Sequence, residues 1–370
     1  LKTEIRKLKK NDPDNKIILT GCAAQIHKDE FVAMNEIDSI IGNKEKLESK
    51  TYKEIKESND RINKVGDIFE HGQAISPIIK KVENRIRGFV QIQNGCDHRC
   101  TFCIIPYGRG DSRSVEPENV VNQINTLLDQ GYKEIVLTGV DLTSYGHDLE
   151  NKPNLATLVS HILFSIPNLK RLRLSSLDVA EIDKNLMDLI KYEKRILPHI
   201  HLSLQAGDNM ILKRMKRRHL RDDAISVINE IRSVRSEVVF GADIIAGFPT
   251  ENDEMFQNTV DLIEDCNITF LHIFPFSPRE GTPAARMPQV DRYIIKKRAK
   301  ILREIGKKKL LEYYDGLKNK KINVIVEDKG RGRSDTFAKV QIDNNLDNGQ
   351  IVKMIVTGRN QIGLTGNIVV

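Results

Sequence analysis

The sequence predicts an α/β protein with an open, partial (βα)6 barrel at its centre. From about Lys81, short apolar segments that suit buried strands alternate with amphipathic helical segments. A shorter α/β alternation precedes this region, and after residue 311 the pattern changes to short strands separated by Gly, Asn and Asp turns. We therefore predict an α/β domain over residues 1–80, the partial barrel over 81–311 and a small all-β barrel over 312–370.

The first domain is predicted from two short strands and the helical segments around them. One strand, in "KIILTGC", ends at Gly21 and Cys22, and a second strand lies in "IDSIIGN". A helical stretch around Glu30 to Met34 separates them, and the polar stretch from Lys50 to Arg61 suits a linker helix or a loop. This order is typical of a piece of a doubly wound α/β domain.

Six βα units account for the central domain. Its predicted strands lie in "GFVQIQ", "EIVLTG", "RLRLSS", "HIHLSLQ", "VVFGADIIAG" and "ITFLHIFPF". Its predicted helices lie in "EPENVVNQINTLLDQG", "NLATLVSHILF", "IDKNLMDLIKY", "NMILKRM", "DDAISVINEIRSV" and "NDEMFQNTVDLIED". The apolar runs suit strands that are buried on both faces. Such folds carry their chemistry on the loops that follow the carboxyl ends of the strands.

Basic residues concentrate around the start of the last domain. A helix is predicted over about residues 291–314, and four strands follow it, in "KINVIVED", "FAKVQI", "QIVKMIVTG" and "GLTGNIVV". The chain has a net charge of +7, and residues 291–333 contain fifteen Lys and Arg against six Asp and Glu. A second run, "KRMKRRHLR" from Lys213 to Arg221, has six cations in nine residues. Either run alone also suits a solvated helix face, but two runs in one chain favour a nucleic-acid partner.

The composition argues against a secreted or membrane-spanning protein. Five cysteines in 370 residues form no disulfide framework. The start, "LKTEIRKLKK", is a charged helical pattern without a secretory signal, and no apolar run approaches the ~18 residues that a membrane span needs. We expect a cytoplasmic protein without a membrane partner. Because the chain opens at Leu1 in mid-helix, we also expect further residues upstream.

Three of the cysteines lie within eight residues in "CDHRCTFC", as Cys96, Cys100 and Cys103. Thiolates suit zinc or iron–sulfur clusters. Zinc usually takes four ligands, and His98 lies between two of the cysteines, where it would strain a tetrahedral site. A cubane cluster needs one ligand per iron, so three cysteines leave one iron open. The spacing favours an iron–sulfur cluster over zinc.

This C-x₃-C-x₂-C spacing, in the loop after the first strand of a partial barrel, resembles the radical S-adenosylmethionine (SAM) superfamily. Further segments resemble the methylthiotransferases within it: "GCAAQ", "CIIPYGRG", "LTGVDLTSYG", "SLQAGDNMILKRMKR", "DIIAGFPTE" and "FPFSPREGTPAA". The C-terminal barrel is similar to the RNA-binding TRAM domain of that family. Two segments, "LTGVDLTSYG" and "HIFPFSPREGT", most resemble the branch that acts on N6-threonylcarbamoyladenosine in tRNA. The isopentenyladenosine branch and the branch that modifies a ribosomal protein are less similar.

The resemblance implies two [4Fe–4S] clusters in a full-length parent, with SAM as the second cofactor. The open iron of the first cluster binds SAM, and reduction by an electron donor such as a flavodoxin-like protein yields a 5′-deoxyadenosyl radical. That radical takes hydrogen from C2 of the modified adenosine beside the tRNA anticodon. The auxiliary cluster delivers sulfur, and a second SAM supplies the methyl group. The implied product is a 2-methylthio derivative, with no catalytic residue beyond the cluster ligands.

The resemblance also implies SAM contacts at the carboxyl ends of the strands and beside the third cysteine. The candidates are Phe102, Gly139, Val140, Asp141, Ser203, Gln205, Asp243 and Gly247. Arg217 or Arg218 is a candidate to pair with the SAM carboxylate as a planar fork. Each polar residue among them also suits a strand-end cap or a turn, and Phe102 also suits the core.

The auxiliary cluster is where the sequence departs from the family. The family holds this cluster with three cysteines of its N-terminal domain, and here only Cys22 in "GCAAQ" matches, as the third. Cys266 in "EDCNITF" suits a core position. We therefore expect that this chain alone assembles one complete cluster, and that it is possibly inactive as a methylthiotransferase.

The RNA contacts are predicted from cations near the cluster and in the small barrel. The candidates are Arg109, Arg113, Arg331 and Arg333, with Tyr107 as a further residue near the cluster. In the small barrel the one clear aromatic is Phe337, so we expect recognition of the RNA backbone and shape rather than base stacking. The alternatives are an isopentenyladenosine-type enzyme, a zinc-stabilised RNA-binding protein without catalysis, and a radical SAM enzyme with a substrate other than RNA.

Overall fold

The computed structural model describes residues 1–58, 60–70, 85–328, 330–342 and 346–369. The first part is a parallel three-stranded sheet in the order β1-β2-β3, with helices connecting its strands. Its elements are α1 (Lys2–Asn11), β1 (Ile18–Thr20), α2 (Cys22–Ile26), α3 (Lys28–Val32), β2 (Ser39–Ile41), α4 (Ser49–Glu57) and β3 (Ile62–Lys64). The predicted strands and intervening helix are confirmed, and the polar stretch from residue 50 is mostly helical. Ile5, Phe31 and Ile40 fill its core.

The central domain contains the predicted six parallel strands in chain order. Two three-stranded sheets, β4-β7-β8 and β9-β10-β11, meet where β8 and β9 form isolated bridges. The strands are β4 (Arg87–Gln91), β7 (Glu134–Thr138), β8 (Leu172–Leu174), β9 (His199–Gln205), β10 (Val239–Ala246) and β11 (Phe270–Pro275). β4 and β11 are the two edges, so the barrel is open between them, as the partial (βα)6 prediction requires.

Helices cover the outer face of this sheet. They are α6 (Pro117–Asp129), α7 (Leu155–Ser165), α8 (Lys184–Tyr192), α9 (Asn209–Arg214), α10 (Arg221–Val234) and α11 (Asp253–Asp265). Along β9, Ile200, Leu202 and Leu204 pack in the core beneath the helices. Because side chains alternate between the faces of a strand, His201 and Ser203 point the other way, into the barrel lumen. The lumen is therefore polar where the outer face is apolar.

A short hairpin and one helical turn frame the cysteine segment. β5 (Gln93–Asn94) pairs antiparallel with β6 (Arg113–Ser114), and α5 (Ile105–Arg109) lies in the loop between them. The loop closes through a hydrogen bond from the Cys96 amide to the Gly110 carbonyl, 3.1 Å long. This geometry places the three cysteines just beyond the carboxyl end of β4.

One long helix, α12 (Arg292–Asp315), leads from the central domain into a closed five-stranded barrel. The barrel strands are β12 (Lys321–Asp328), β13 (Arg331–Ser334), β14 (Lys339–Gln341), β15 (Ile351–Arg359) and β16 (Leu364–Val369). β13 was not among the four predicted strands. The predicted boundary at 311/312 falls within α12, and the boundary at 80/81 falls outside the described residues, so the domain limits stay a prediction. Within the described residues, no helix is both long and apolar enough to cross a membrane.

The small barrel packs against the amino-terminal end of the partial barrel. The ring of Phe337 stacks on His199, with centroids 4.6 Å apart, and lies edge-on to Phe270 at 6.2 Å. The Arg173 guanidinium lies over the same ring, 5.1 Å from its centroid. Burial, with Arg173 nearby, lowers the pKa of His199 well below its usual value, so this imidazole is neutral. Phe337 therefore forms part of the floor of the lumen.

Candidate active site

The three cysteines line one pocket together with residues from the ends of three strands. The pocket has a volume of about 160 Å³. Besides Cys96, Cys100 and Cys103, it is lined by His98, Phe102, Ile105, Val140, Asp141, Ser176, Asp178, Ser203, Gln205 and Arg217. Most of the predicted SAM residues thus converge on the cysteines from separate parts of the chain.

Two thiols of this pocket, those of Cys96 and Cys103, have raised pKa values. Burial, together with the nearby Asp141 carboxylate, raises the pKa of Cys96 to about 12. Burial also raises the pKa of Cys103. A metal ligand must be a thiolate, so cluster assembly has to displace these protons, as is usual for cysteine sites.

Arg217 is held in the pocket by acceptors on two strand ends. One terminal nitrogen of its guanidinium donates to Asp178 Oδ2 at 2.9 Å and to the Ser203 carbonyl at 2.8 Å. The buried Nε atom has no hydrogen-bond partner among the described residues. Burial raises the pKa of Asp178, but His219 and Arg217 outweigh it and hold the pKa well below its usual range. An ion pair with an unpaired buried donor is suited to receive a further anionic group.

A second charged group lies on the other side of the cysteines. His98 Nε2 lies 2.8 Å from Asp141 Oδ2 and 3.5 Å from Glu181 Oε1. Hydrogen bonds to Asp141 and Glu181 raise the pKa of His98 to about 10. An imidazolium donates hydrogen bonds and cannot ligate a metal, so this arrangement disfavours His98 as a fourth zinc ligand. Arg218 pairs with Glu181 at 2.8 Å instead of entering the pocket.

Sequence reasoning missed Gln93, Ser176, Asp178 and Glu181. Gln93 is fully buried, and its side chain accepts from the Asp141 amide and donates to the Gly95 carbonyl, both at 2.9 Å. Asp178 and Glu181 lie in the turn after β8. Their position directly after a strand was a signal that the sequence offered. The ends of the second and fourth strands supplied candidates by that reasoning, and it applies equally to the end of the third strand.

Three predicted SAM residues lie elsewhere. Asp243 contacts His201 and His272 in the lumen, below the pocket. Gly247 has a φ of +73°, and a Cβ atom there would lie 2.5 Å from the Ile295 side chain, so this glycine allows α12 to approach β10. Gly139 packs against Gln93, where a Cβ atom would lie 2.9 Å from the amide oxygen. Asp243 and Gly247 are thus not among the residues that line this pocket, and their assignment to SAM stays a prediction.

Cys22 begins α2 and lies against α5, the helix that follows the cysteine cluster. Its Sγ accepts from Arg109 Nε at 3.1 Å, and Asn43 Nδ2 lies 3.7 Å away. A Cβ atom on Gly108 would lie 3.0 Å from Cys22, so the glycine permits this contact. Cys266 is buried in the core cluster, as predicted. The first domain thus presents Cys22 beside the loop that carries the other three cysteines.

The predicted RNA residues fall into two groups. Arg109 is engaged with Cys22, and Arg113 donates to the Arg109 carbonyl at 2.8 Å. Arg333 Nε donates to Glu327 at 3.0 Å, and its guanidinium lies 4.2 Å from the Phe337 centroid. Arg331 is exposed on β13. Arg333 is therefore held by contacts within the small barrel, and its assignment as an RNA contact stays a prediction.

The second basic run, from Lys213 to Arg221, is also not the solvated surface that the sequence suggested. Its arginines make internal contacts, with Thr250 for Arg214, Asp178 for Arg217, Glu181 for Arg218 and Asp265 for Arg221. The first run is different, because α12 carries the exposed cations Arg292, Lys296, Lys297, Lys300, Arg303, Lys307 and Lys308. Among the described residues, exposed cations therefore concentrate on α12, whereas the second run contributes Lys213, Lys216 and Arg218.

Known proteins match both the fold and the site. Residues 90–263 match the model of the Radical SAM superfamily. The threonylcarbamoyladenosine tRNA methylthiotransferase MtaB of Rickettsia prowazekii is 49% identical over 354 residues, which is 96% of this chain and 83% of the relative. The MtaB of Aquifex aeolicus is 36% identical, over 95% of this chain and 86% of its own length.

The chain belongs to the radical SAM tRNA methylthiotransferases. The branch suggested by the sequence is also confirmed, because proteins named tRNA-2-methylthio-N(6)-dimethylallyladenosine synthase match at lower identity than the two MtaB proteins above. That of Neorickettsia sennetsu, for example, is 33% identical over 95% of this chain and 77% of the relative. The solved structure of the radical SAM methyltransferase TsrM from Kitasatospora setae has a TM-score of 0.54 at 18% identity, over 76% of this chain and 59% of that chain. That likeness supports the fold of this methylthiotransferase. Family membership implies a [4Fe–4S] cluster and SAM as its cofactors.

Proposed function

We propose that this protein converts N6-threonylcarbamoyladenosine beside the tRNA anticodon to its 2-methylthio derivative. The single observation that carries the proposal is the pocket in which Cys96, Cys100 and Cys103 meet the ends of β7, β8 and β9. Relatives named for this reaction align along nearly the whole chain. A tRNA substrate makes the cytoplasm the place of action, with a small redox protein as the electron donor.

The residues of the pocket fit a [4Fe–4S] cluster with SAM beside it. Cys96, Cys100 and Cys103 would hold three irons, and SAM on the fourth would supply one-electron chemistry at the substrate. The unpaired Nε of Arg217 suits the SAM carboxylate. Ser203, Gln205 and Asp141 offer acceptors and donors for the amino group and the ribose. Phe102 lines the same pocket and lies perpendicular to Phe248, with centroids 6.4 Å apart, and it is the aromatic candidate for adenine.

Cys22 belongs to the auxiliary cluster in this proposal. Its Sγ accepts a hydrogen bond from the Arg109 guanidinium, which places the thiol beside the loop that carries the radical cluster. α5 follows directly on Cys103, so a cluster at Cys22 would face the same substrate space as the radical cluster. The remaining ligands of the auxiliary cluster are not among the cysteines of this sequence.

The tRNA would bind along α12 and the small barrel. The exposed cations of α12 supply phosphate contacts, which act independently of base sequence. Arg331 extends this surface onto β13. Phe337 is part of the interdomain contact, so stacking of bases on this ring plays no part in the proposed binding. Recognition of the backbone and shape of the anticodon arm remains the favoured mode.

The experiment is anaerobic reconstitution of the full chain with iron and sulfide, followed by reaction with SAM and a reductant. The substrate is an anticodon stem-loop RNA whose N6-threonylcarbamoyladenosine carries deuterium at C2. We expect about four irons per chain, absorbance near ~400 nm and deuterium in the 5′-deoxyadenosine formed. This hydrogen-transfer readout needs the radical cluster and not the auxiliary one.

Cys100→Ala tests the cluster, and Cys266→Ala is the matched control because that thiol lies in the core. The first variant should lose iron and deuterium transfer, and the second should retain both. Stoichiometric zinc in a colourless protein would instead support the zinc-stabilised RNA-binding alternative. Faster deuterium transfer from an RNA with N6-dimethylallyladenosine would support the other tRNA branch.

A further inference from the structure

A second cluster of titratable side chains lies in the lumen, outside the pocket. His201 on β9, Asp243 on β10 and His272 on β11 occupy three neighbouring strands. His201 Nε2 and His272 Nδ1 lie 3.0 and 3.2 Å from the same oxygen, Asp243 Oδ1. Asp243 and His272 are direct cross-strand partners. Neither the cluster ligands nor the proposed SAM contacts account for this group.

Its position is between the pocket and the floor of the lumen. Ser203, two residues after His201 and on the same face of β9, lines the SAM pocket. His199, two residues before His201, stacks on Phe337 at the floor. A strand rises by about 3.3 Å per residue, so the cluster lies about 7 Å below the pocket. A group entering the lumen from the pocket would meet these side chains before the floor.

The cluster offers a cationic donor to that group. The hydrogen bond that His272 donates to Asp243 raises the pKa of His272. Burial raises the pKa of Asp243, but His201 and His272 outweigh it and hold the pKa well below its usual range. With Nδ1 directed at Asp243, the Nε2 atom of His272 has no hydrogen-bond partner among the described residues, and the side chain is 62% exposed. The arrangement is a carboxylate-oriented imidazolium that faces open space.

The arginines at the floor of the lumen are already neutralised. Arg171 and Arg173 both bind Glu134, which is fully buried. Arg87 pairs with Glu327 at 2.7 Å. His272 is therefore better suited than these arginines to bind a new anion, because no existing ion pair has to break.

We propose that His272, positioned by Asp243 and His201, binds the threonyl carboxylate of the substrate adenosine. This inference rests on the proposed function. A threonylcarbamoyl group carries a carboxylate and a hydroxyl, whereas a dimethylallyl group carries neither. A carboxylate that leaves water needs a charge-assisted donor, which His272 supplies, and Asp243 can accept from the hydroxyl. The cluster would then select between the two kinds of modified adenosine.

The three side chains also have the composition of a divalent-metal site. One ligand atom from each lies within 4.8 Å of the others. Two histidines and a carboxylate suit zinc or ferrous iron. Metal binding would use the same nitrogen of His272 that Asp243 orients, so the two roles exclude each other and one experiment separates them.

The test measures the affinity of reconstituted, SAM-bound protein for three anticodon stem-loop RNAs. They carry N6-threonylcarbamoyladenosine, its uncharged carboxamide analogue, or unmodified adenosine. We expect the acid to bind about tenfold more tightly than the amide, the usual size of one charge-assisted hydrogen bond. His272→Gln keeps a neutral donor and should bind acid and amide equally. His161→Gln, on the outer helix α7, should behave as the unsubstituted protein.

The outcomes distinguish the inference from the function. If the unsubstituted protein prefers the modified RNA and His272→Gln still prefers the acid, the inference is wrong while the function stands. If the unsubstituted protein binds modified and unmodified RNA equally, both are wrong. A third outcome is that the protein binds one equivalent of zinc, that His272→Gln loses it, and that acid and amide bind with equal affinity. That outcome would assign the cluster to a metal and overturn the inference.

Discussion

Arg217 links three segments of the pocket through one guanidinium. It reaches Asp178 after β8 and the Ser203 carbonyl on β9, and its other terminal nitrogen lies 3.9 Å from Cys100 Sγ. Only 7% of the side chain is exposed. A planar fork satisfies several acceptors at once, whereas a lysine ammonium is a single point charge. The residue is therefore sensitive to a substitution that keeps the charge.

Arg217→Lys should weaken SAM binding about tenfold, because at least one charge-assisted hydrogen bond is lost. The iron content should stay unchanged, since the cysteines are intact. Equilibrium dialysis of SAM and iron analysis measure the two effects. Arg214→Lys is the matched control, because Arg214 binds Thr250 outside the pocket. Loss of iron in Arg217→Lys would mean that the arginine stabilises the cluster rather than SAM.

At the scale of elements, the β5–β6 hairpin determines the shape of the cysteine loop. Gly95 follows β5 with a φ of +78°, and a Cβ atom there would lie 1.9 Å from the Asp111 carbonyl oxygen. Gly131 after α6 also has a positive φ, of +94°, but nothing lies within 4 Å of a Cβ atom there. An alanine at Gly131 would therefore meet only backbone strain, whereas an alanine at Gly95 would meet backbone strain and a steric clash within the loop.

Gly95→Ala should lower iron incorporation and destabilise the protein by more than Gly131→Ala does. Gly131→Ala should lose only the stability that it costs to hold an alanine in the left-handed backbone conformation, about 1 kcal/mol. In Gly95→Ala the new Cβ atom also clashes with the backbone at Asp111, so the cysteine loop has to move. Urea unfolding of the metal-free proteins and iron per chain after reconstitution measure both effects. Full iron content in Gly95→Ala would show that cluster assembly tolerates a shifted hairpin.

The elements that the sequence predicted are those with a clear apolar pattern. The strands of the partial barrel are apolar runs, and α6 ends at Asp129, two residues before the glycine that was predicted to stop it. β13 has the sequence "RGRS", which carries no apolar residue, so nothing marked it as a strand. It forms because its backbone pairs with β12 and β14, and Gly332 fits where a Cβ atom would lie 2.6 Å from Val324.

The candidate site was predictable to the extent that strand ends and cysteine spacing determine it. Cys96, Val140 and Ser203 meet because the carboxyl ends of parallel strands face the same side. Asp243 is not part of the pocket lining, because it lies inside β10, three residues before the strand ends. The ion pairs of the basic residues could not be predicted from the sequence, because only the tertiary structure brings Arg217 and Arg333 next to their carboxylate partners.

At the scale of the whole molecule, the small barrel closes the partial barrel. Phe337, with a φ of +71°, inserts between His199, Phe270 and the Arg173 guanidinium. Arg173 also donates to the carbonyls of Ser334 and Asp335, at 3.0 and 2.9 Å. The orientation of the small barrel relative to the pocket therefore depends on this contact and on α12.

Phe337→Ala should loosen the small barrel without removing an RNA contact. Truncating a packed phenylalanine costs about 3 kcal/mol, and here the loss falls on the contact between domains. We expect a separate, earlier unfolding transition in calorimetry and faster tryptic cleavage within α12. Affinity for the anticodon stem-loop should fall in parallel, because the barrel no longer holds one orientation. Phe164→Ala, at a side chain that is 86% exposed on α7, should leave all three measurements unchanged. A variant that lost RNA affinity with normal unfolding and cleavage would instead place Phe337 against the RNA.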